Sequence, residues 1–282
     1  PSAMELNVGS VEEAEFLGDA LAANDNMTSV SFTNSNFNIV LKDLREIKSL
    51  QLSEGKITDM DIITVCKILG AKNTSLESID VSETPNLSEN AGCAIASLLG
   101  QQAATSRSLK SVNCDGTSIG NASVKLLVET IMQYVPANGL KLKSLKLRGT
   151  NITSEGAKYF TPWLKSDNCT LGKEQLSLDW EKFDSETIKA LVLTNHRCLP
   201  VDIRLQIASI EDAEEITTAL ETNDHIETLT IKKYRLPLKK LKNGTDLNFA
   251  PKQRDEATTL SYFDYILILI LIEKNNNLKK LN

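Results

Sequence analysis

A short hydrophobic pattern recurs along the chain and restricts its possible folds more than any other feature. The pattern is apolar-x-x-apolar-x-apolar, and the starts of its central copies lie 29, 33 and 33 residues apart (47 to 76, 76 to 109, 109 to 142). It occurs at residues 27–32, 47–52, 76–81, 109–114, 142–147 and 226–231, with shorter copies at 176–178 and 205–207. The alternating apolar positions predict short strands with one buried face. Self-similarity at a fixed period predicts a repeat architecture whose units must stack to bury their apolar faces.

A helical pattern follows each of the central strands. Its first copy has apolar residues at Ile57, Ile62, Val65 and Leu69, and copies with the same spacing begin at Leu87, Ile119 and Ile152. This spacing keeps one stripe of a helix against a core. Capping-box motifs or close variants at residues 10–13, 58–61 and 209–212 mark helix starts. Each unit is therefore predicted to be a strand followed by a helix.

Two distant segments of the chain are similar to each other. Residues 5–32 align without gaps with residues 204–231, and nine positions are identical, among them the pairs Ser10/Ser209 and Asn24/Asn223. This similarity indicates that both segments derive from one repeated unit.

The most regular unit lies at residues 142–157, where the strand pattern is followed by Asn151, Ile152 and the pair Gly156-Ala157. With these residues the sequence resembles the leucine-rich repeat family, in its long, ribonuclease-inhibitor-like type. Lys56 and Ser118 stand where this unit has Asn151, so other units depart from the pattern. The resemblance covers residues 5–232 and 258–282. It implies an α/β fold: a curved, horseshoe-shaped solenoid with a parallel sheet on its concave face and helices on its convex face.

The chain is predicted to have three segments. Residues 4–232 form the leucine-rich-repeat solenoid, residues 233–257 a basic, irregular linker, and residues 258–282 a final partial repeat with a helix and the start of a strand. Because the last unit stops inside its strand pattern, we expect the natural protein to continue beyond residue 282.

The predicted binding surface consists of the side chains that alternate with the buried strand positions. These side chains point onto the concave face, which is the default binding surface because it is large and already ordered. The candidate protein-binding residues are Ser78, Asp80, Ser111, Asn113, Asp115, Ser144, Lys146, Arg148, Asp179, Trp180 and Arg204. Alternatively, the serine column is a solvated sheet surface without a partner, and Trp180 packs within the solenoid.

Near the C-terminus, a basic run precedes an apolar segment. The run holds Lys232, Lys233, Arg235, Lys239, Lys240 and Lys242 with no acidic residue, and it is either an exposed linker or a site for an acidic partner, a phosphate backbone or a membrane surface. Residues 265–272 are apolar, but this run is far shorter than the roughly 20 residues that a membrane span needs. We expect the helix that contains this run to mediate self-association.

Composition excludes several classes of protein. The formal charge of −6 and the pI near 5.2 argue against a nucleic-acid binder. The five cysteines are odd in number, widely spaced and without a C-x-x-C pair, which fits a reducing compartment better than a disulfide framework, and no secretory signal is visible. The sequence therefore favours a cytoplasmic protein.

No catalytic, cofactor or metal site is predicted. The only His/Cys neighbourhood is His196 with Cys198, and no third residue can be assigned to orient it. Ligands at metal-binding spacing and phosphate-binding glycine loops are missing from the sequence.

The expected function is a non-enzymatic scaffold for protein–protein interaction, with a partner of unknown identity on the concave face. The resemblance implies alternatives, since Ran GTPase-activating proteins and tropomodulin-type actin-capping proteins are similar in fold. A further alternative is a structural subunit of a larger cytoskeletal or ciliary assembly.

Overall fold

The computed structural model describes residues 2–105, 108–134, 142–167, 169–247, 260–273 and 275–281. The fold is mixed α/β, with short strands, helices and a parallel sheet. The chain divides into two compact units. One comprises the residues up to Leu171 together with Gln175–Asp179, and the other comprises Gly172–Glu174 and the residues from Trp180 onward.

The first unit alternates strands and helices. Its strands are β1 (Ser2–Leu6), β2 (Met27–Phe32), β3 (Phe37–Val40), β4 (Ser49–Gln51), β5 (Ser78–Asp80), β6 (Ser111–Asn113), β7 (Ser144–Lys146) and β8 (Leu176–Ser177). Its helices are α1 (Val11–Ala23), α2 (Leu41–Glu46), α3 (Asp59–Lys72), α4 (Glu89–Ala104), α5 (Asn121–Tyr134), α6 (Ser154–Lys158) and α7 (Phe160–Lys165).

The second unit follows the same alternation. Its strands are β9 (Asp202–Leu205), β10 (Thr228–Ile231), β11 (Tyr234–Pro237), β12 (Asp246–Leu247) and β13 (Lys280–Leu281). Its helices are α8 (Ser185–Val192), α9 (Ile210–Thr222), α10 (Leu238–Asn243) and α11 (Tyr262–Glu273), and a short 3₁₀ turn spans Trp180–Lys182.

Five of the repeated strands form one parallel sheet in chain order, β4-β5-β6-β7-β8. Ser49, Ser78, Ser111 and Ser144 lie side by side in its register, which confirms the predicted serine column over these four strands. Each strand places one apolar residue in the core: Leu50, Ile79, Val112, Leu145 and Leu176 are all buried. This burial stabilises the sheet through the hydrophobic effect rather than through the strands' own short ladders.

The expectation of one continuous parallel sheet is wrong at both ends of the repeat series. The copies at 27–32 and 226–231 are β2 and β10, and each is the central strand of its own three-stranded sheet, β1-β2-β3 or β11-β10-β9. Short turns at residues 33–36 and 232–233 reverse the chain, so that β3 and β11 pair antiparallel with β2 and β10. Both edges of these two strands are therefore occupied, and a further parallel neighbour has no edge to pair with.

The predicted internal duplication is confirmed and extends further than the sequence alignment. The order β1-α1-β2-β3-α2 recurs as β9-α9-β10-β11-α10. The strand registers match: Met4, Val30 and Ile39 lie side by side in one sheet, as do Ile203, Leu229 and Leu236 in the other. The correspondence continues through β4/β12, α3/α11 and β5/β13.

The predicted irregular linker is wrong for residues 234–247, which form β11, α10 and β12. The basic residues there alternate with Leu236, Leu238 and Leu241, which are buried. The charge run is thus the solvated side of a strand and a helix that each bury a leucine face. Residues 248–257 lie outside the described residues. In the final segment, α11 and β13 agree with the predicted helix and strand start.

A buried asparagine joins the end of a helix to the preceding strand–helix repeat. Asn73 follows α3, and its side-chain amide donates to the carbonyls of Leu44 (2.7 Å) and Ile47 (2.9 Å), which end α2. Its side-chain oxygen accepts the backbone N–H groups of Ser75 and Leu76, both at 2.8 Å. Asn275 repeats the arrangement, donating to the carbonyls of Leu241 and Gly244 at 2.9 Å. The amide thus satisfies orphan carbonyls that no helix can satisfy internally.

Carboxylate and amide side chains at helix starts bind the next helix in the first unit. Asp59 accepts the backbone N–H of Ser88 (2.8 Å) and its hydroxyl. Glu89 in turn accepts the N–H groups of Ala122 (3.0 Å) and Ser123 (2.8 Å). Asn121 accepts the N–H of Thr153 at 3.0 Å. The N-termini of α4, α5 and α6 therefore depend on the preceding strand–helix repeat for the partner of at least one backbone N–H.

We predict that Asn73→Ala lowers the free energy of unfolding by about 2–3 kcal/mol, because the buried carbonyls and N–H groups lose their partners. Urea denaturation measures the effect. The matched control is Asn90→Ala at an exposed position, expected to change stability by less than about 0.5 kcal/mol. Equal stability of the two variants would contradict the capping role of Asn73.

Candidate functional site

The candidate site is the open face of the five-stranded sheet, defined by the side chains that alternate with the buried strand residues. Its first column is polar and small. The Ser78 hydroxyl donates to the Ser49 hydroxyl (2.7 Å), which also accepts the side-chain amide of Gln51 (2.7 Å). Ser111 and Ser144 continue this column and are half-buried. The column therefore consists of small hydroxyl side chains.

The second column of the open face joins Asp80, Asn113 and Lys146 across three strands. The Asn113 amide donates to the Asp80 carboxylate (3.1 Å), which also accepts the backbone N–H (3.0 Å) and hydroxyl (2.6 Å) of Ser82. Burial opposes ionisation of Asp80, but these hydrogen bonds and the nearby Lys146 outweigh it, and the pKa of the carboxyl is lowered. Lys146 itself is exposed.

The third column lies where the strands end. Asp115 accepts the backbone N–H of Arg148 at 2.6 Å, and Asp179 accepts that of Gly149 at 2.9 Å. Gly149 has φ +67°, a left-handed conformation that glycine adopts without strain. The Arg148 guanidinium lies 3.8 Å from the Asp179 carboxylate and remains 62% exposed. Burial raises the pKa of the Asp115 carboxyl, and the neighbouring Asp179 adds to the rise, although the Arg148 N–H and Lys146 oppose it.

These bonds separate the predicted residues into two groups. Asp80, Asn113, Asp115 and Asp179 bind neighbouring strands or turns, so they are part of the construction of the sheet. Lys146 and Arg148 extend from it and carry the exposed positive charge of the open face. The arrangement supplies a polar, hydrogen-bonded floor with two protruding cations.

Trp180 and Arg204, the two remaining predicted residues, belong to the second unit. Both line a cavity of about 320 Å³ that is bounded by α8 and β9. The Trp180 ring packs edge-on against Phe183, with ring centroids 6.3 Å apart. The structure thus places Trp180 and Arg204 at the same cavity, within the second unit.

Sequence reasoning placed the carboxylates on the correct face but missed their structural role. The available signal was local: Asp80 and Asn113 each stand two residues before a residue whose backbone N–H they accept, which is the geometry of an Asx turn. It also missed Asn73 and Asn275. Their signal is an asparagine three residues before the first apolar residue of a strand pattern, as at Asn73/Leu76, Asn223/Ile226 and Asn275/Leu278.

The His196 and Cys198 side chains are in contact, with Nδ1 and Sγ 3.0 Å apart. The same Nδ1 lies 3.2 Å from the backbone N–H of Cys198, from which it accepts a hydrogen bond, and the Cys198 side chain is buried. The contact therefore belongs to a local turn that offers a substrate no access to the thiol.

Four of the five cysteines are buried and all five are free thiols. Burial raises the pKa of the Cys66 thiol to about 12, so this group stays protonated and unreactive at neutral pH. Within the described ranges, no group of three His, Cys, Asp or Glu side chains has the geometry of a metal site. In the same ranges, every helix is too short or too polar to cross a lipid bilayer.

No family model and no curated protein sequence matches the chain. Among solved structures, it is similar to the actin-binding site 2 of leiomodin-1, at 16% sequence identity and a TM-score of 0.43. The match covers 55% of this chain and 84% of the leiomodin-1 chain.

The pKa shifts of Asp80 and Asp115 have opposite signs. We therefore predict that replacing each aspartate by asparagine changes the loss of stability at low pH in opposite directions. The lowered pKa of Asp80 stabilises the fold above the ordinary carboxyl pKa of about 3.9, and this stabilisation disappears as pH falls through the folded pKa. Asp80→Asn should therefore lose less stability than wild type between about pH 6 and 3. Because the pKa of Asp115 is raised, its carboxyl stabilises the folded state as pH falls through that pKa. Asp115→Asn lacks this gain and should therefore lose more stability than wild type over the same pH range.

Urea midpoints measured across this pH range test the pair. Asp43→Asn makes the same substitution at an exposed position of α2, away from the open face, and serves as the control. Shifts of the two variants in the same direction would refute the assignment.

Proposed function

We propose that the chain is a non-enzymatic protein–protein interaction scaffold of the leucine-rich repeat type, with its strands on the concave face of a curved solenoid and a partner protein bound to that face. The observation that carries the proposal is the in-register open face from β4 to β8. Its polar side chains form a continuous surface over consecutive repeats, as a binding face built from stacked repeats requires.

The hydrogen bonds beneath the face support this proposal. Asp80, Asn113 and Asp115 are held by neighbouring strands and turns. A surface fixed in this way loses little conformational entropy when a partner binds. Lys146 and Arg148 extend above it, and we propose that they contact acidic groups of the partner.

We also propose a reducing, cytoplasmic location. The support is the state of the cysteines: all five are free and four are buried as core residues. Regulation of a Ran-type GTPase and actin capping remain alternatives that the family resemblance implies, and a structural role in a larger assembly is a separate alternative. No contact in the described residues favours one of them.

We predict that the double charge reversal Lys146→Glu/Arg148→Glu lowers recovery of the partner at least tenfold, because it places acidic side chains against the partner's acidic groups. Quantitative affinity purification compares wild type, this variant and a control. The control is Lys158→Glu/Lys165→Glu, which makes the same change of charge at exposed positions of α6 and α7.

Proteins recovered equally by wild type and control, but depleted with the open-face variant, are the expected partners. If every protein that wild type recovers is retained by Lys146→Glu/Arg148→Glu, the open face is not the binding surface.

A second part of the proposal is self-association through α11. This helix exposes Tyr265 (50%) and Leu269 (53%), with Tyr262 on the same side. Their counterparts in the duplicated module, Ile62 and Cys66 of α3, are buried, and α3 packs against α4. The α11 face thus has the composition of a covered helix face, and we propose that a second copy of the chain covers it.

We predict that Tyr265→Glu/Leu269→Glu shifts the protein toward the monomer in analytical ultracentrifugation, because each association would bury unpaired carboxylates. Phe16→Glu, at an exposed aromatic position on α1, is the matched control and should sediment as wild type does. A monomeric wild type at about 100 μM would contradict self-association of useful strength.

A further inference from the structure

The cavity of the second unit has an apolar interior and a polar rim. Ile188, Leu191 and Val192 of α8 form one wall, Leu199 and Ile203 line it further, and Trp180 closes one side. Its volume of about 320 Å³ lies at the lower end of the range for small ligand sites, and it accommodates one large apolar side chain. The Trp180 ring packs edge-on against Phe183, and this contact restricts its orientation.

The same cavity borders an edge strand. β9 pairs with β10 and lies at the end of the sheet order β11-β10-β9. Asp202, Ile203 and Arg204 of β9 all line the cavity. An edge strand presents backbone N–H and C=O groups that an extended peptide can pair with. A peptide on β9 would therefore place alternate side chains along the cavity.

The rim has one positive charge that is available to a ligand. Asp202 is already bound, since its carboxylate lies 2.7 Å from the Arg235 guanidinium and accepts the Thr230 hydroxyl at 3.2 Å. Arg204 is exposed and makes no ion pair with the described part of the chain. Glu181 also lines the cavity, on the Trp180 side. A ligand carboxylate is thus favoured next to Arg204 and disfavoured next to Glu181.

We propose that this cavity is a peptide-binding site. Its occupant is an extended segment of a partner protein that adds to the edge of β9 with which no described strand pairs, inserts one large apolar or aromatic side chain beside Trp180, and places one acidic side chain against Arg204. Backbone pairing supplies a sequence-independent part of the affinity, and the anchor and the ion pair supply specificity. The site lies within the second unit and shares no lining residue with the open face of β4 to β8.

A selection with a phage-displayed library of random 12-residue peptides tests the proposal on the full chain. We expect enriched sequences that share a large apolar residue near an acidic one. A synthetic peptide of the most enriched sequence is then titrated against wild type, Arg204→Glu and Trp180→Ala, each of which should weaken Kd about tenfold or more. Lys239→Glu makes a charge reversal of the same size at an exposed position of α10 and should bind as wild type does.

Hydrogen exchange provides the structural readout. Bound peptide should slow amide exchange within residues 202–205, because the strand edge becomes paired. Lys146→Glu/Arg148→Glu should retain the peptide, which separates this site from the proposed function. The proposal is overturned if selection enriches no shared sequence, if both Arg204→Glu and Trp180→Ala bind the peptide as tightly as Lys239→Glu, or if exchange in β9 is unchanged.

Discussion

The structure depends on polar backbone groups that one strand–helix unit cannot satisfy by itself. Helix ends leave unpaired N–H and C=O groups, and three-residue strands have few partners of their own. In this chain, a side chain from a neighbouring unit satisfies many of them. Asn73 binds the carbonyls that end α2, Glu89 binds the N–H groups that begin α5, and Asp115 binds the turn after β7. Successive strand–helix repeats are therefore coupled by hydrogen bonds as well as by their shared apolar core.

This coupling explains why the open face is polar and ordered at once. Its carboxylates are fixed by bonds across strands, and the opposite pKa shifts of Asp80 and Asp115 reflect how completely those bonds compensate burial. A scaffold with such a floor needs few further residues to bind a partner. In the proposed scaffold, Lys146 and Arg148 fill this role because their charged groups remain exposed above the bonded side chains.

The duplicated module shows how one sequence pattern is used in two surroundings. In the first unit, α3 buries Ile62 and Cys66, whereas in the second unit the equivalent positions of α11 are the exposed Tyr265 and Leu269. Arg45 and Lys242 also correspond: each donates to a backbone carbonyl at the end of the preceding long helix, at Asn24 (2.8 Å) and Leu220 (2.7 Å). The basic run that looks like a linker in sequence therefore includes a residue with a structural role.

The sequence by itself determined the strand–helix alternation, the serine column, the internal duplication and the face on which the polar residues lie. These features follow from short-range periodicity, which the spacing of apolar residues records directly. Only the tertiary structure decided that β10 leaves the parallel series, because the turn at residues 232–233 contains two lysines and none of the usual hairpin residues. It also decided that Asp115 and Asp179 bind backbone groups about 30 residues away, and that Trp180 shares a cavity with Arg204. Such pairings depend on which units become neighbours in space, and a local pattern of residues carries no record of that.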